Sequence, residues 1–475
     1  MPAGGSSDIA RESVLSRTFA SLRVRDYAWF SAGNAAFFLA MQMNFTLRGY
    51  LAYELTGAAS ALGILALSLA LPMLFAGPFG GVIADRVNKR TLLIVVQVGV
   101  AGNNAVMAAL ILTGHVQFWH LAAAATVMGL FFAVITPARQ AMVPQLVPQQ
   151  LMMNAISLQM SGQNLTRIVG PAVAGLLIAP MGVGNVYLVT VALFLLSVIT
   201  MFPLPKHGMV SIQAGSGGKV LSELVGGFTF VWGTPLYRIL MIMALVMPLF
   251  AFPVNQILPV FAEDVFKRGP AALGILMSVS GIGGLAGALF AAGISDYPHK
   301  GWLQIGGAAS MLLGFIAFAL SPAFLPALVF LALGNVGSMI FQVTNNAVIQ
   351  SQVPDEYRGR VMAVLMMSFG TMPLGVLPLT FAADAWGAPI AVVVAQLIGL
   401  AVVIATVVCS PSVRNLQITN LEDAEMSPAQ AARLVAEGKI TREEAARLSG
   451  RAGASGASGA SGASGATSAS ARAPH

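Results

Sequence analysis

Between residues 28 and 409 the chain alternates long apolar runs with short polar breaks. A helix needs about 20 apolar residues to cross a hydrocarbon core of roughly 30 Å. Twelve runs reach that length, over 28-52, 59-83, 91-113, 118-137, 154-179, 184-203, 236-262, 271-295, 302-321, 324-347, 361-383 and 388-409. The pattern also repeats. Ala61-Leu62-Gly63-Ile64-Leu65 returns as Ala272-Leu273-Gly274-Ile275-Leu276, and Asp85 falls at the same offset from Asp296. Gln140 to Pro148 likewise faces Asn346 to Pro354, with only a slightly shorter offset. The predicted fold class is an all-α membrane protein of twelve transmembrane helices in two six-helix repeats. Parallel repeats of this kind place a substrate site near mid-bilayer, between halves that rock against each other, so transport is the first expectation.

This reading divides the chain into a cytoplasmic N-terminal segment (1-26), a first repeat (27-203), a cytoplasmic linker (204-235), a second repeat (236-409) and a cytoplasmic tail (410-475). In the tail, Ser427-Pro428 is a helix-start signal and Thr441 with Glu444 a capping box, so a helical hairpin is expected before an Ala-Ser-Gly low-complexity end. Such an end buries no core.

Composition agrees with the pattern. Hydrophobic residues make up 57% of the chain and charged residues 9%, against about 25% charged in soluble domains. The net charge of +7 does not point to nucleic acid, because the basic residues occupy alternate loops. Arg11, Arg17, Arg23 and Arg25 precede the first run, Arg86, Lys89 and Arg90 follow the second, and Arg139 follows the fourth. By the positive-inside rule both termini are cytoplasmic in an inner or plasma membrane. The first 26 residues contain no signal-peptide core, so insertion through the first run without cleavage is expected. Cys409 is the single cysteine and fixes no redox compartment.

Polar side chains within spans are costly and tend to face the bundle interior. Gln159, Gln163 and Arg167 recur every four residues and share one helical face. Asn44 and Arg48 do the same in the first run, with Gln42 nearby, and Asn335, Gln342, Asn345 and Asn346 form a third stripe. Asn255 and Gln256 lie between Pro253 and Pro259, where a kink is expected. These twelve residues are the candidate substrate cavity. Two bland readings stand beside it: Arg48 snorkels outward or pairs with Glu54, and the amides are interhelical glue. No Asp or Glu falls near the middle of any run, so a proton carrier with a carboxylate raised by burial would have to be Glu54 or Asp384 at the outer ends.

Gly81-Val82-Ile83-Ala84-Asp85-Arg86-Val87-Asn88-Lys89-Arg90 resembles the loop signature between spans two and three of the major facilitator superfamily, with Asn88 where the family prefers Gly. Asn tolerates the left-handed conformation of a tight turn, which the departure leaves possible. The resemblance implies a gating motif at Gly81, Asp85, Arg86, Lys89 and Arg90. In that family the aspartate latches the cytoplasmic ends of spans two and eleven in the outward-facing state. The bland reading is a topogenic basic loop. Gly170-Pro171-Ala172-Val173-Ala174-Gly175 is similar to the antiporter signature of drug exporters, with Ala174 and Thr166 where that pattern has Gly; the alternative is an ordinary bent helix at a tight contact. The runs Arg139 to Gly175, Val353 to Val361 and Glu54 to Gly57 resemble the branch of the enterobactin exporter and macrolide-efflux-type permeases.

The expected function is therefore a secondary transporter, a monomer in the lipid bilayer, exporting a small amphipathic molecule such as a drug, siderophore or metabolite by alternating access. A proton gradient is the expected driving force, with no cofactor and no bound metal. An importer or lysophospholipid-type flippase on the same fold is the alternative. A membrane sensor or scaffold working through the tail is the alternative of another class. An enzyme is not expected: no phosphate-binding loop is present, and His115, His120, His207, His299 and His475 have no metal-ligand spacing.

Overall fold

A computed structural model describes residues 19-205, 226, 228-233, 235-294, 297, 299-353 and 355-409. Most of the expected linker, the tail hairpin and the Ala-Ser-Gly end lie outside the described residues. The chain divides into two compact units. The second, Tyr297–Lys300 with Leu416–His475, is described only at Tyr297, His299 and Lys300, whose first two rings lie 5.7 Å apart. The first unit carries the spans.

Each of the twelve expected runs is helical over most of its described length. Spans one to four are Arg25–Thr56, Ser60–Arg86, Lys89–Leu112 and Phe118–Leu146. Spans five and six form one helical segment, Met152–Ile199, broken at Gly182, whose φ of 76° and ψ of 157° only a residue without Cβ adopts at little cost. Span seven runs from Pro235 to Val265 in pieces, and spans eight to ten are Gly269–Gly293, Lys300–Leu320 and Phe324–Gln352. Span eleven is Asp355–Ser368 continued, after a 3-10 turn, by Met372–Trp386, and span twelve is Ala388–Cys409. We call the face where the first span begins the near face, and the opposite one the far face.

The helices exceed the apolar runs at several ends. The fourth continues to Leu146, past the expected end at 137, and takes Arg139 inside. Asn88 also differs from expectation. Its φ of −56° is not left-handed; instead its side chain accepts the Thr91 amide at 3.2 Å and caps span three, the ordinary use of Asn at a helix start. The expected kink in span seven is a larger irregularity. Two π-helical stretches, Met247–Ala251 and Phe261–Val265, flank the short helices Phe252–Gln256 and Leu258–Val260. Pro248, Pro253 and Pro259 supply no amide hydrogen there, which frees carbonyls from the helical ladder. The Gln396 side chain of span twelve donates to the Phe250 carbonyl at 3.0 Å.

The two halves touch closely where spans five and eight cross. A Cβ on Gly175 would lie 2.6 Å from the Pro270 carbonyl oxygen, and one on Gly274 would lie 2.9 Å from that of Pro171. Backbones this close leave no room for a side chain. Ser278 of span eight also donates to the Ile168 carbonyl at 2.8 Å. At the far face the Asp384 carboxylate, near the end of span eleven, accepts the amides of Ala59 and Ser60 at 2.6 and 2.9 Å. Those amides open span two, so the carboxylate meets the positive end of a helix dipole. Tyr53 donates to Asp264 beside it.

Candidate functional site

A cavity of about 450 Å³ lies between the halves. Its first-half wall includes Gln42, Gln163, Asn164 and Arg167, and its second-half wall Asn255, Gln256 and Ser280. Span seven presents Asn255 and Gln256 immediately before its break at Ile257. Three smaller cavities share walls with it. One of about 360 Å³ includes Gln42, Asn44, Arg48 and Gln256; one of about 280 Å³ includes Arg139, Gln140, Gln159 and Gln163; one of about 120 Å³ includes Arg167, Asn255 and Asn335. The stripe of Gln159, Gln163 and Arg167 thus runs along neighbouring cavities, with Gln163 in the wall of two of them. Among the described residues no Asp or Glu lines any of the four.

Asn44 also serves the packing, and Asn345, which like Gln342 and Asn346 lines none of these four cavities, serves the packing instead. Asn44 donates to Asn104, which itself donates to the Val100 carbonyl at 2.8 Å, tying span one to span three. The Asn345 amide oxygen accepts from the buried Gln304 at 2.6 Å, tying span ten to span nine. The Asn335 side chain donates to the Leu331 carbonyl one turn back at 2.8 Å. Gln342 and Asn346 are half-buried on the same span.

Arg48 does not find Glu54, which is exposed at the end of its helix. Its titratable neighbour is Tyr187 of span six, and its Nε and Nη2 are buried without a hydrogen-bond acceptor. Arg167 is exposed into the cavity. Sequence reasoning missed Arg139, reading it as a loop charge. It is 3% exposed, lies 3.8 Å above the Phe37 ring and donates to Asn34, both from span one. Its Nε and Nη2 have no acceptor. A signal was available: Met142, Val143 and Leu146 follow at helical spacing and are buried.

Of the motif residues at the near face, the side chains of Gly81, Asp85 and Arg86 lie outside those described. Lys89 is buried at the start of span three, and Arg90 donates to the carbonyls of Met201 and Phe202 at 2.9 and 2.6 Å. Arg90 thereby pins the end of span six, where a cation suits the free carbonyls. Gly170, Pro171 and Gly175 are buried, the first against Gln42 and Met43 of span one and the last against span eight. The two residues kept as proton carriers sit at the far face, Glu54 exposed and Asp384 engaged by two amides.

A bundle of twelve spans around a cavity of mixed polar and apolar lining between two halves is the architecture of a major facilitator transporter. Residues 16-439 match the family described as "transmembrane secretion effector", and the chain belongs to that family, a branch of the major facilitator superfamily. The multidrug efflux pump Tap of Mycolicibacterium fortuitum is 30% identical over 358 residues, 71% of this chain and 84% of that one. The staphyloferrin A transporter of Staphylococcus aureus is 26% identical over 332 residues, 69% of this chain and 81% of that one. Among solved structures, the nucleoside transporter NupG superposes with a TM-score of 0.67 at 15% identity, covering 81% of this chain and 98% of its own.

Proposed function

We propose that this transporter exports a small amphipathic molecule from the cytoplasm across the inner or plasma membrane by alternating access. The observation that carries the reading is the cavity between the halves, where amides and Arg167 are set among apolar side chains, together with the contacts that tie the halves at the far face. The near face is taken as cytoplasmic by the distribution of Lys and Arg, and contacts that tie the halves at the far face are what a state that loads from inside requires. Export then requires the contacts of Asp384 with span two, and of Tyr53 with Asp264, to open as the near face closes. Asp85 is assigned the matching role on the cytoplasmic side, as a carboxylate that holds the near face shut. The similarity to a relative named as a multidrug efflux pump supports the direction, and a proton gradient is the proposed source of energy.

The test is accumulation of a panel of dyes, antibiotics and siderophores in cells expressing the protein, its Asp85→Asn variant, or the protein with a protonophore. Lower accumulation with the wild-type chain, lost in the variant and on collapse of the gradient, is the expected result. Unchanged or higher accumulation of every compound would overturn export and favour import or lipid movement.

A further inference from the structure

We propose that the cargo is an amphipathic anion carrying a carboxylate, and that Arg139, Arg167 and Arg48 receive its charge in turn. The inference rests on the export reading and adds the substrate class. Three arginines line neighbouring cavities that share wall residues, within spans where an unpaired charge is costly, and the guanidinium groups of Arg139 and Arg48 lie just behind the cavity surface, to be reached as the walls move. None has a carboxylate partner among the described residues, the titratable neighbour of Arg48 being Tyr187. Arg139 and Arg48 each keep two buried nitrogens that donate to nothing. Such donors cost most when they stay unmade, and a carboxylate that accepts two parallel bonds is the ligand a guanidinium fits best.

Their order along the route supports a relay. Arg139 sits on the near-face side of span four, and its cavity shares Phe38, Met41 and Gln163 with the largest cavity. Arg167 lies midway along span five in that largest cavity. Arg48 lies towards the far-face end of span one, in a cavity that shares Gln42 and Gln256 with the largest. A carboxylate passing through these cavities meets a cation at each level, and among the described residues no Asp or Glu lines them. The apolar body of the cargo has its own surface, since Phe38, Phe45 and Phe252 line the same space. A cationic amphiphile would find three like charges and no counter-ion.

Everted membrane vesicles containing the full chain would be energised and incubated with three matched sets of compounds: arylalkyl carboxylic acids, the amines of the same skeletons, and their methyl esters. Uptake would be read by mass spectrometry. The expected result is protein-dependent uptake of the acids alone, reduced at least tenfold in Arg167→Gln and Arg139→Gln and largely kept in Arg167→Lys. Uptake of amines or esters at or above that of the acids overturns the anionic cargo while leaving export intact. Uptake of the acids that survives both glutamine substitutions overturns the role of the arginines. No protein-dependent uptake of any set, in vesicles where the chain is shown to be inserted, removes export and this proposal together.

Discussion

Arg48, Arg139 and Arg167 all come from the half that precedes the linker, whereas the other half gives the cavity Asn255, Gln256, Ser280 and Asn335, none of them charged. The difference in backbone runs the opposite way. The first four spans are unbroken helices, while span seven contains two π stretches and span eleven a 3-10 turn over Phe369–Thr371. A repeat preserves the frame because both copies must bury the same pattern of apolar faces, but the cavity walls carry no such constraint. One half is therefore built to hold charge at fixed depths, and the other to bend. Irregular turns in a span relax the hydrogen-bond ladder and are suited to absorb a change in angle.

Changes at the junction and in each half should separate these roles. Gly175→Leu should have the largest effect, since overpacking costs about 1–3 kcal/mol and the side chain would meet the Pro270 carbonyl. Transport should fall by roughly tenfold or more, with normal amounts of protein in the membrane on immunoblot. Asp384→Ala comes next. Losing a carboxylate from a helix start costs about 1 kcal/mol, enough to shift the two-state equilibrium several-fold towards the state open at the far face. Maleimide labelling of Leu62→Cys from the far side, in a Cys409→Ser background, should speed up by that factor. An unchanged rate would mean that Asp384 is no latch. Pro253→Ala tests the bending half: a more regular span seven should slow transport several-fold while binding of cargo is kept, and equal loss of both would break the division of labour. Asn345→Leu should matter least. Its bond to Gln304 is of the kind that averages about 0.6 kcal/mol within membranes, so a small drop in the melting temperature of the purified protein and normal transport are expected.

Much of the frame is legible in the sequence because a bilayer imposes length and polarity on each span. The stripe of Gln159, Gln163 and Arg167 was legible for the same reason, as three costly residues on one helical face. What the sequence withholds is partnership. Asn345 and Asn335 lie on one span, yet one is held by Gln304 and the other meets a cavity, and spacing does not separate the two. Asp384 reads as a lone acid at an outer end until the start of span two is seen against it. Arg139 was hidden by a rule that usually holds, that a basic residue after an apolar run marks a loop. It is inside because span one offers it Asn34 and Phe37.

That shelter also has a consequence for how the protein is made. An arginine costs about 2.5 to 3.5 kcal/mol at the middle of a segment entering the membrane and less towards its ends, and the fourth span meets the smaller cost of Arg139, seven residues from its near-face end, before any cargo is present. Chain order meets the difficulty, because the first span, with its ring and amide, leaves the ribosome three helices earlier. The first span is thus a chaperone carried within the same polypeptide, and a change at Phe37 should be felt during biogenesis, before the transporter has anything to carry.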